Sequence, residues 1–245
     1  MVYFYIIDGL IIDTGHRLGK KSIERHLRKH HIDQSFITHH HEDHSGNVDL
    51  IRDLYNCPVY ASSRCCELMK NPPPISLAQK ITWGDRPSAD FLLPVDDQIK
   101  SENYAYQIIP IPGHAEDMVG LYEEEQGWFF SADLYINDYI GYFVYNEDIY
   151  LQIDSLKRVL QLNFDKLFCC HQPRLEDPKK YLKSKLQFLE DFSGEVERHY
   201  NQGLTAREIH KKMKLKENWP IRILSGNQLS SMHRIHSVIR NLKNG

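Results

Sequence analysis

The sequence predicts an α/β domain in which strands and helices alternate along the chain and pack in layers. Short apolar runs recur through most of the chain, and segments with helical periodicity separate several of them. With 245 residues, of which 41% are hydrophobic, the chain can bury a sizeable core. The sequence has no internal repeat, and its length fits one large domain or one domain with a small appendage.

Eight strands are predicted from apolar or alternating runs that have turn residues at their ends. Asp8-Gly9, a pair typical of a tight hairpin turn, joins the first two strands, and Asp13-Thr14-Gly15 ends the second. A later pair is joined by an acidic turn that contains Gly127. The predicted strands span residues 2–7, 10–12, 35–37, 58–61, 105–111, 118–123, 128–131 and 166–170.

Helices are predicted where apolar residues recur at helical spacing after a capping residue. Asp177-Pro178 has the order of a helix start, with a capping residue before a proline, and Thr205 with Glu208 predicts a capping box. A break is expected in the long helix near Ser193-Gly194. The predicted helices span residues 22–31, 47–55, 62–70, 149–162, 177–200, 205–214 and 227–242.

Two segments lack a clear period. Residues 71–98 begin with three consecutive prolines after Asn71, and irregular segments of this length are often lids or binding loops. Residues 135–150 contain five tyrosines, most of which we expect in the core. Some could form a pocket wall, where one phenol could donate a hydrogen bond to a developing oxyanion. We place the main domain at residues 1–192 and a basic helical appendage, vaguely similar to a winged helix, at residues 193–245.

The net charge of −3 hides an uneven distribution. Residues 198–245 contain ten Lys and Arg against two acidic residues, a balance of +8. The other 197 residues hold 20 basic and 31 acidic groups, a balance of −11. A basic segment of this kind either binds a polyanion or docks on its own acidic body, and we favour docking.

The sequence predicts a soluble, cytoplasmic protein without membrane contact. No apolar run is long enough to cross a bilayer, and the first residues lack the pattern of a signal peptide. The cysteines are odd in number, and their two vicinal pairs lack the Cys-x-x-Cys spacing of zinc sites. We interpret all five as small buried residues: Cys57, Cys65, Cys66, Cys169 and Cys170.

The most informative stretch, residues 38–47, follows a predicted buried strand. Six consecutive positions in it hold four histidines and two acids, and imidazole and carboxylate groups bind zinc-like cations. If the chain is still extended there, His39 and His41 project to one side and the residue between them points elsewhere. Asp43 and His44 come after a bend. The stretch therefore predicts a metal site, against the simpler interpretations of a solvated loop or a tag remnant.

These residues resemble the hallmark of the metallo-β-lactamase superfamily, His-x-His-x-Asp-His, with Thr38 in the usual preceding position. Further motifs follow the expected order across roughly residues 2–171. They are Ile11-Ile12-Asp13-Thr14-Gly15, Pro112-Gly113-His114-Ala115, Asp133 at a strand end and His171 at a strand end. The resemblance implies a four-layer αβ/βα sandwich, with two mixed sheets face to face and helices outside.

The resemblance also implies a centre of two divalent metal ions, most simply zinc, with iron or manganese as alternatives. The implied ligands are His39, His41 and His114 for one ion, Asp43, His44 and His171 for the other, and Asp133 between them. Asp43 and Asp133 are expected to take part in catalysis. Asp13 and Thr38 would support the ligands from behind, although Asp13 could also serve only its turn. His171 lacks the glycine that relatives commonly have beside it, since Cys170 and Gln172 flank it here.

On this resemblance, a hydroxide held between two ions ~3.5–4 Å apart would attack a carbonyl, so no serine or cysteine nucleophile is required. The superfamily scaffold does not define the substrate. We expect a small ester, thioester or lactone, because residues 71–98 and 135–150 suit the walls of a compact, partly apolar pocket. The alternatives are a metal-dependent RNA or phosphodiester hydrolase that uses the basic tail, and a mononuclear-iron persulfide dioxygenase.

The basic tail argues against RNA as the substrate. Sites for single-stranded RNA interleave aromatic and basic residues, whereas the tail offers only Tyr200 and Trp219. Its lysines also alternate across both faces of any helix. We therefore expect a small-molecule substrate, weak and non-specific binding of nucleic acid, and a tail that packs beside the active-site mouth and shapes substrate access.

Overall fold

Two five-stranded sheets form the centre of the structure, a computed structural model that describes residues 2–244. The first sheet has the order β1-β2-β3-β4-β5, in which β1 and β2 are antiparallel and all other neighbours are parallel. Its strands are β1 (Tyr5–Ile7), β2 (Leu10–Ile12), β3 (Gln34–Ile37), β4 (Val59–Ala61) and β5 (Leu93–Pro94). Asp8 and Gly9 form the predicted hairpin turn, with φ of 52° and 77°.

The second sheet has the order β11-β9-β8-β7-β6, and only β9 and β11 are parallel. Its strands are β6 (Gln98–Lys100), β7 (Ala105–Pro110), β8 (Val119–Glu123), β9 (Trp128–Ala132) and β11 (Lys166–Cys169). A small third sheet pairs β10 (Phe143–Val144) with β12 (Leu229–Ser230), so the C-terminal tail adds a strand to the main body.

Ten helices surround the sheets in the described part of the chain, and a single 3₁₀ turn, Arg17–Gly19, precedes the first. The helices are α1 (Lys20–Leu27), α2 (Glu42–Ser45), α3 (Val48–Tyr55), α4 (Ser63–Lys70), α5 (Leu77–Thr82), α6 (Ile149–Leu160), α7 (Pro178–Asn201), α8 (Ala206–Lys212), α9 (Trp219–Leu224) and α10 (Ser231–Asn244). The predicted capping box at Thr205 and Glu208 is present at the start of α8.

The short helices α2, α5 and α9 were not predicted, and α7 differs from its prediction. α5 lies in the segment predicted as irregular, where a capping box of Ser76 and Gln79 starts a helix of six residues. α7 runs without the predicted break at Ser193-Gly194, because Phe192 and Val196 are buried on the same face and packing outweighs the low helix propensity of glycine.

The side chains of the two sheets show a four-layer arrangement. Leu10, Ile12 and Phe36 of the first sheet pack against Leu121 and Phe130 of the second. The opposite face of the first sheet packs against α1, α3 and α4, and that of the second sheet packs against α6 and α7. Because neighbouring residues of a strand point to opposite faces, each strand packs against the other sheet on one face and against helices on the opposite face. The predicted four-layer αβ/βα sandwich is confirmed.

The basic tail packs on the second helical layer. Ile209, Ile235 and Val238 are fully buried in the same hydrophobic cluster as residues of α6 and α7. The Arg240 guanidinium donates to the Glu147 carbonyl at 2.9 Å and lies 3.6 Å from the Asp148 carboxylate. The proposed division between residues 192 and 193 falls within α7 and stays a prediction. Within residues 2–244, no helix combines the length and the hydropathy that a membrane span requires.

Candidate metal centre

The seven predicted ligands meet at one edge of the two sheets, on segments that follow the carboxyl ends of strands. The chain leaves β3 into Thr38 and His39, and His41 precedes α2, which carries Asp43 and His44. His114, Asp133 and His171 follow β7, β9 and β11 in the same way. Their donor atoms form one group of three and one group of four, and within each group all atoms lie within 4.8 Å of one another.

The group of three consists of the imidazoles of His39, His41 and His114. His41 Nδ1 lies 3.0 Å from His114 Nε2, and the rings of His39 and His41 are 4.6 Å apart. Burial, together with neighbouring imidazoles, holds the pKa of His39 and of His41 well below its ordinary value. Both rings are therefore neutral at pH 7, as metal coordination requires.

The group of four consists of Asp43, His44, Asp133 and His171. Asp133 Oδ1 lies 3.4 Å from Nε2 of His44 and of His171, whereas its Oδ2 lies 3.4 Å from His114 Nε2. Burial alone would raise the pKa of the Asp133 carboxyl, but His44 and His171 hold it well below its ordinary value. Asp133 is therefore a carboxylate that faces both groups, which is the position predicted for it.

The donor atoms fit divalent cations. The buried Nε2 atoms of His39 and His44 have no hydrogen-bond partner among the described residues. An unpaired buried polar atom costs about 1–3 kcal/mol, and coordination of a cation would satisfy both atoms. Three imidazoles suit zinc, and the mixed carboxylate and imidazole group accepts zinc, iron or manganese. The identity and number of the metal ions stay predictions.

Asp13 and Thr38 lie directly behind the ligands, as predicted. The buried Asp13 carboxylate accepts hydrogen bonds from the Thr38 backbone N–H at 2.9 Å and from its hydroxyl at 2.9 Å. Asp13 Oδ2 also lies 2.8 Å from His44 Nδ1, so that ring donates to Asp13 and its Nε2 faces the ligand group. The Thr38 hydroxyl lies 3.1 Å from His39 Nδ1 and orients that ring in the same way.

His40 points away from the ligand group, as the extended backbone predicts. Its Nδ1 and its backbone nitrogen each lie 2.8 Å from the Asp117 carboxylate. The His40 carbonyl accepts a hydrogen bond from the buried Arg86 guanidinium at 2.8 Å, and Arg86 also donates to Pro73. Arg86 thus ties residues 71–98 to the ligand loop.

The residue behind His114 is Glu147, which was not predicted from the sequence. Glu147 Oε2 lies 3.6 Å from His114 Nδ1, and the same oxygen accepts a hydrogen bond from Gln152. Glu147 precedes α6 and is more than thirty residues beyond His114, so no local pattern connects the two. Arg86 and Asp117 were not predicted for the same reason, because each contacts His40 from a distant segment of the chain.

A cavity of about 440 Å³ opens above the two ligand groups. Residues 71–98 contribute Gln79 and Trp83 to its wall, and residues 135–150 contribute Ile136 and Val144. None of the five tyrosines in that second segment, all of which the structure describes, lines the cavity. Tyr135 instead donates to Asp138, so the phenol donor predicted for an oxyanion has no counterpart here. The tail forms the remaining wall with Ile221, Leu224, Ser225, Gln228 and Leu229.

A buried lysine on α7 lies behind the centre. Lys185 Nζ donates to the Leu134 carbonyl at 2.7 Å, next to Asp133 in the chain. Burial lowers the pKa of Lys185 to about 8, although the carboxylates of Glu147 and Asp133 act in the opposite direction. The unfolded chain therefore binds more protons at this position than the folded chain between about pH 8 and pH 10.5.

Stability should consequently rise with pH across that window, because deprotonation relieves the burial of a charge. We expect the unfolding free energy of the wild type, relative to Lys185→Met, to increase by about 2 kcal/mol from pH 8 to pH 10. Urea unfolding of both proteins at several pH values measures this difference. Parallel pH profiles for the two proteins would contradict the assignment.

Comparisons with known proteins agree with this geometry. Residues 2–171 match the family model of the metallo-beta-lactamase superfamily. A hydroxyacylglutathione hydrolase of Bdellovibrio bacteriovorus is 28% identical over 166 residues, which cover 66% of this chain and 55% of that protein. The beta-lactamase-like protein 2 homolog of Caenorhabditis elegans is 22% identical over 205 residues, which cover 81% of this chain and 63% of that protein.

Among solved structures, a metallo-beta-lactamase family protein of Thermus thermophilus has a TM-score of 0.70 and 16% identity to this chain. The alignment covers 99% of this chain and 88% of that one, so the tail is included in the similarity. At this identity the similarity supports the fold alone. The match to the Bdellovibrio protein spans little more than half of that relative's length.

Proposed function

The chain belongs to the metallo-β-lactamase superfamily, and from this premise we propose that it is a metal-dependent hydrolase of a small ester, thioester or lactone. The observation that carries the proposal is the position of Asp133, whose carboxylate faces both donor groups at the base of a cavity. One relative is named for the hydrolysis of hydroxyacylglutathione, a thioester. Ligand groups that keep a position open to a cavity are typical of catalytic sites.

Two divalent cations at this centre would supply an activated water nucleophile and would neutralise negative charge on the substrate oxygen. The three imidazoles of the first group and the Asp43, His44 and His171 side chains of the second would hold them. Asp13 and Glu147 fix the orientation of His44 and His114 through the Nδ1 atoms. The Asp133 carboxylate faces both ligand groups, and we expect it to hold the two groups at a fixed separation. The apolar walls would lower the local dielectric constant, which strengthens the electrostatic interactions inside.

Cys170 does not compete for the role of nucleophile. Its Sγ lies 3.5 Å from Asp13 and 3.6 Å from His44 Nδ1, behind the ligands, and the residue does not line the cavity. Burial raises the pKa of the Cys170 thiol well above its ordinary value, so the reactive thiolate is disfavoured.

Metal analysis and a substrate panel test the proposal together. We expect the purified protein to contain bound divalent metal and to hydrolyse members of a panel of acyl thioesters, aryl esters and lactones. A chelator should abolish this activity, and added metal should restore it. A metal-free wild type that chelators do not affect would refute the metal centre.

Two other results would favour the alternatives. Activity on bis-aryl phosphodiesters without activity on the ester panel would identify a phosphodiesterase, and one iron per chain with oxygen uptake would identify a dioxygenase. For RNA, the decisive measurement is a salt titration, because phosphate contacts make binding fall steeply between ~50 and ~200 mM salt. Tight, salt-dependent binding with metal-dependent cleavage would replace the ester proposal.

A further inference from the structure

The part of the cavity that lies away from the ligands has apolar walls. Trp83, Ile136, Val144, Ile221, Leu224 and Leu229 contribute to them. The polar residues at this end, such as Gln79 and Ser225, are uncharged. We propose that this end of the cavity binds an uncharged alkyl chain next to the scissile carbonyl, so that the substrates are apolar esters or thioesters. This inference rests on the proposed function and narrows its substrate class.

The charges around the cavity support an uncharged substrate. Among the described residues that line it, the acidic side chains Glu42, Asp43 and Asp133 lie at the metal centre, and none is Lys or Arg. A carboxylate or phosphate at the end of the substrate away from the ligand groups would therefore meet no Lys or Arg side chain. Such a group would lose its hydration without gaining an ion pair, which is costly.

The basic residues on the two flanking helices are engaged outside the cavity. Lys80 of α5 lies 3.4 Å from the Asp85 carboxylate. Arg222 of α9 lies 3.3 Å from the Glu217 carboxylate and donates to Asn227 at 2.6 Å. A charged leaving group such as glutathione, which carries two carboxylates, therefore has no built partner on either helix. The name of the Bdellovibrio relative refers to a glutathione thioester, and the cavity of this chain does not favour a substrate with such charges.

The apolar surface continues from the cavity onto its rim. α5 and α9 contact each other beside the mouth, and Leu77 and Ile81 of α5 are 68% and 65% exposed. Leu224, which lines the cavity, is itself 61% exposed. An alkyl chain longer than the cavity would therefore meet further apolar side chains of these two helices as it leaves. Burial of each methylene contributes about 0.8 kcal/mol, which is about fourfold in kcat/KM.

A chain-length series on the metal-loaded protein tests the inference. One arm varies the acyl chain of an aryl ester from two to eight carbons, and a second arm varies the alkyl chain of a thiol in acetyl thioesters. We expect kcat/KM to rise about fourfold per methylene along the arm whose chain enters the cavity. A carboxylate at the end of the longest chain should remove most of the gain.

Two isoleucines of α9 offer a matched pair of variants. Ile221 lines the cavity, whereas Ile223 is 73% exposed and does not line it. We expect Ile221→Ala to lower kcat/KM for the eight-carbon substrate about tenfold more than for the two-carbon substrate. Ile223→Ala makes the same change on the same helix and should leave the chain-length profile of the wild type intact.

A binding measurement separates this inference from the proposed function. Trp83 lines the cavity, so its fluorescence should respond to unreactive methyl ketones, with tighter binding of 2-decanone than of 2-butanone. Trp83→Phe identifies the signal of this residue. Tighter binding of the longer ketone without ester hydrolysis would support the inference and refute the proposed function. Hydrolysis with a flat chain-length profile, or with a preference for carboxylated substrates, would refute the inference and leave the function standing.

Discussion

His39→Ala should remove metal-dependent hydrolysis almost completely. The His39 ring is fully buried, its Nδ1 faces Thr38, and its Nε2 has no other partner among the described residues. Alanine would delete one of the three imidazoles of its group. Metals supply several kcal/mol of transition-state stabilisation, and ~4 kcal/mol corresponds to a rate factor of about 10³. We expect a loss of at least that size in kcat/KM, together with a measured loss of bound metal.

His40→Ala is the matched control, because it removes an imidazole from the same run of histidines. The His40 ring pairs with Asp117 and does not face the ligand group. This variant should keep the metal content of the wild type, with some loss of stability from the broken buried pair. An equal loss of bound metal in both variants would mean that neighbouring histidines of the run do not have different roles. That result would contradict the ligand assignment.

Asp13→Asn should have the second largest effect, although Asp13 is not itself a predicted ligand. The carboxylate accepts a hydrogen bond from His44 Nδ1, whereas an amide nitrogen in its place would donate to that atom. The proton of the ring would then move to Nε2, the atom that faces the ligand group. Loss of such an outer partner typically costs 10–100-fold in metal affinity or activity. Metal titration of the variant, monitored by activity and by bound metal, measures this loss.

Thr38→Ser provides the control for Asp13→Asn. Serine keeps a hydroxyl that can donate to Asp13 and accept from His39 Nδ1, so metal affinity should change little. If Asp13→Asn binds metal as tightly as the wild type, Asp13 serves only its turn. That outcome would restore the simpler interpretation of the Asp-Thr-Gly stretch.

The candidate ligands could be named from the sequence because most of them come shortly after a predicted strand. An apolar run bounded by turn residues is visible locally, and the carboxyl end of a strand places the next side chains at the edge of a sheet. His39 and His41 could be separated from His40 by backbone alternation alone. The convergence of His114, Asp133 and His171 on them came from the family resemblance, because strand order is not a local property of the sequence.

The residues that the sequence did not predict depend on contacts between distant segments. Glu147 reaches His114 only after α6 packs on the second sheet, and no spacing in the chain connects them. α5 has only six residues and none of them is buried, so its sequence shows no core-facing pattern long enough to predict a helix. The number of tyrosines in residues 135–150 suggested that some of them form a pocket wall, but Ile136 and Val144 line the cavity instead.

The ligands and the far wall of the cavity come from separate stretches of the gene. Every predicted ligand lies at or before His171, whereas the tail residues of the wall lie between Ile221 and Leu229. Mutation or recombination within the codons of the tail can therefore alter substrate preference while the ligand codons stay untouched. We expect relatives of this chain to diverge faster in the wall than in the ligands, so that one metal centre serves a lineage of enzymes with different substrates.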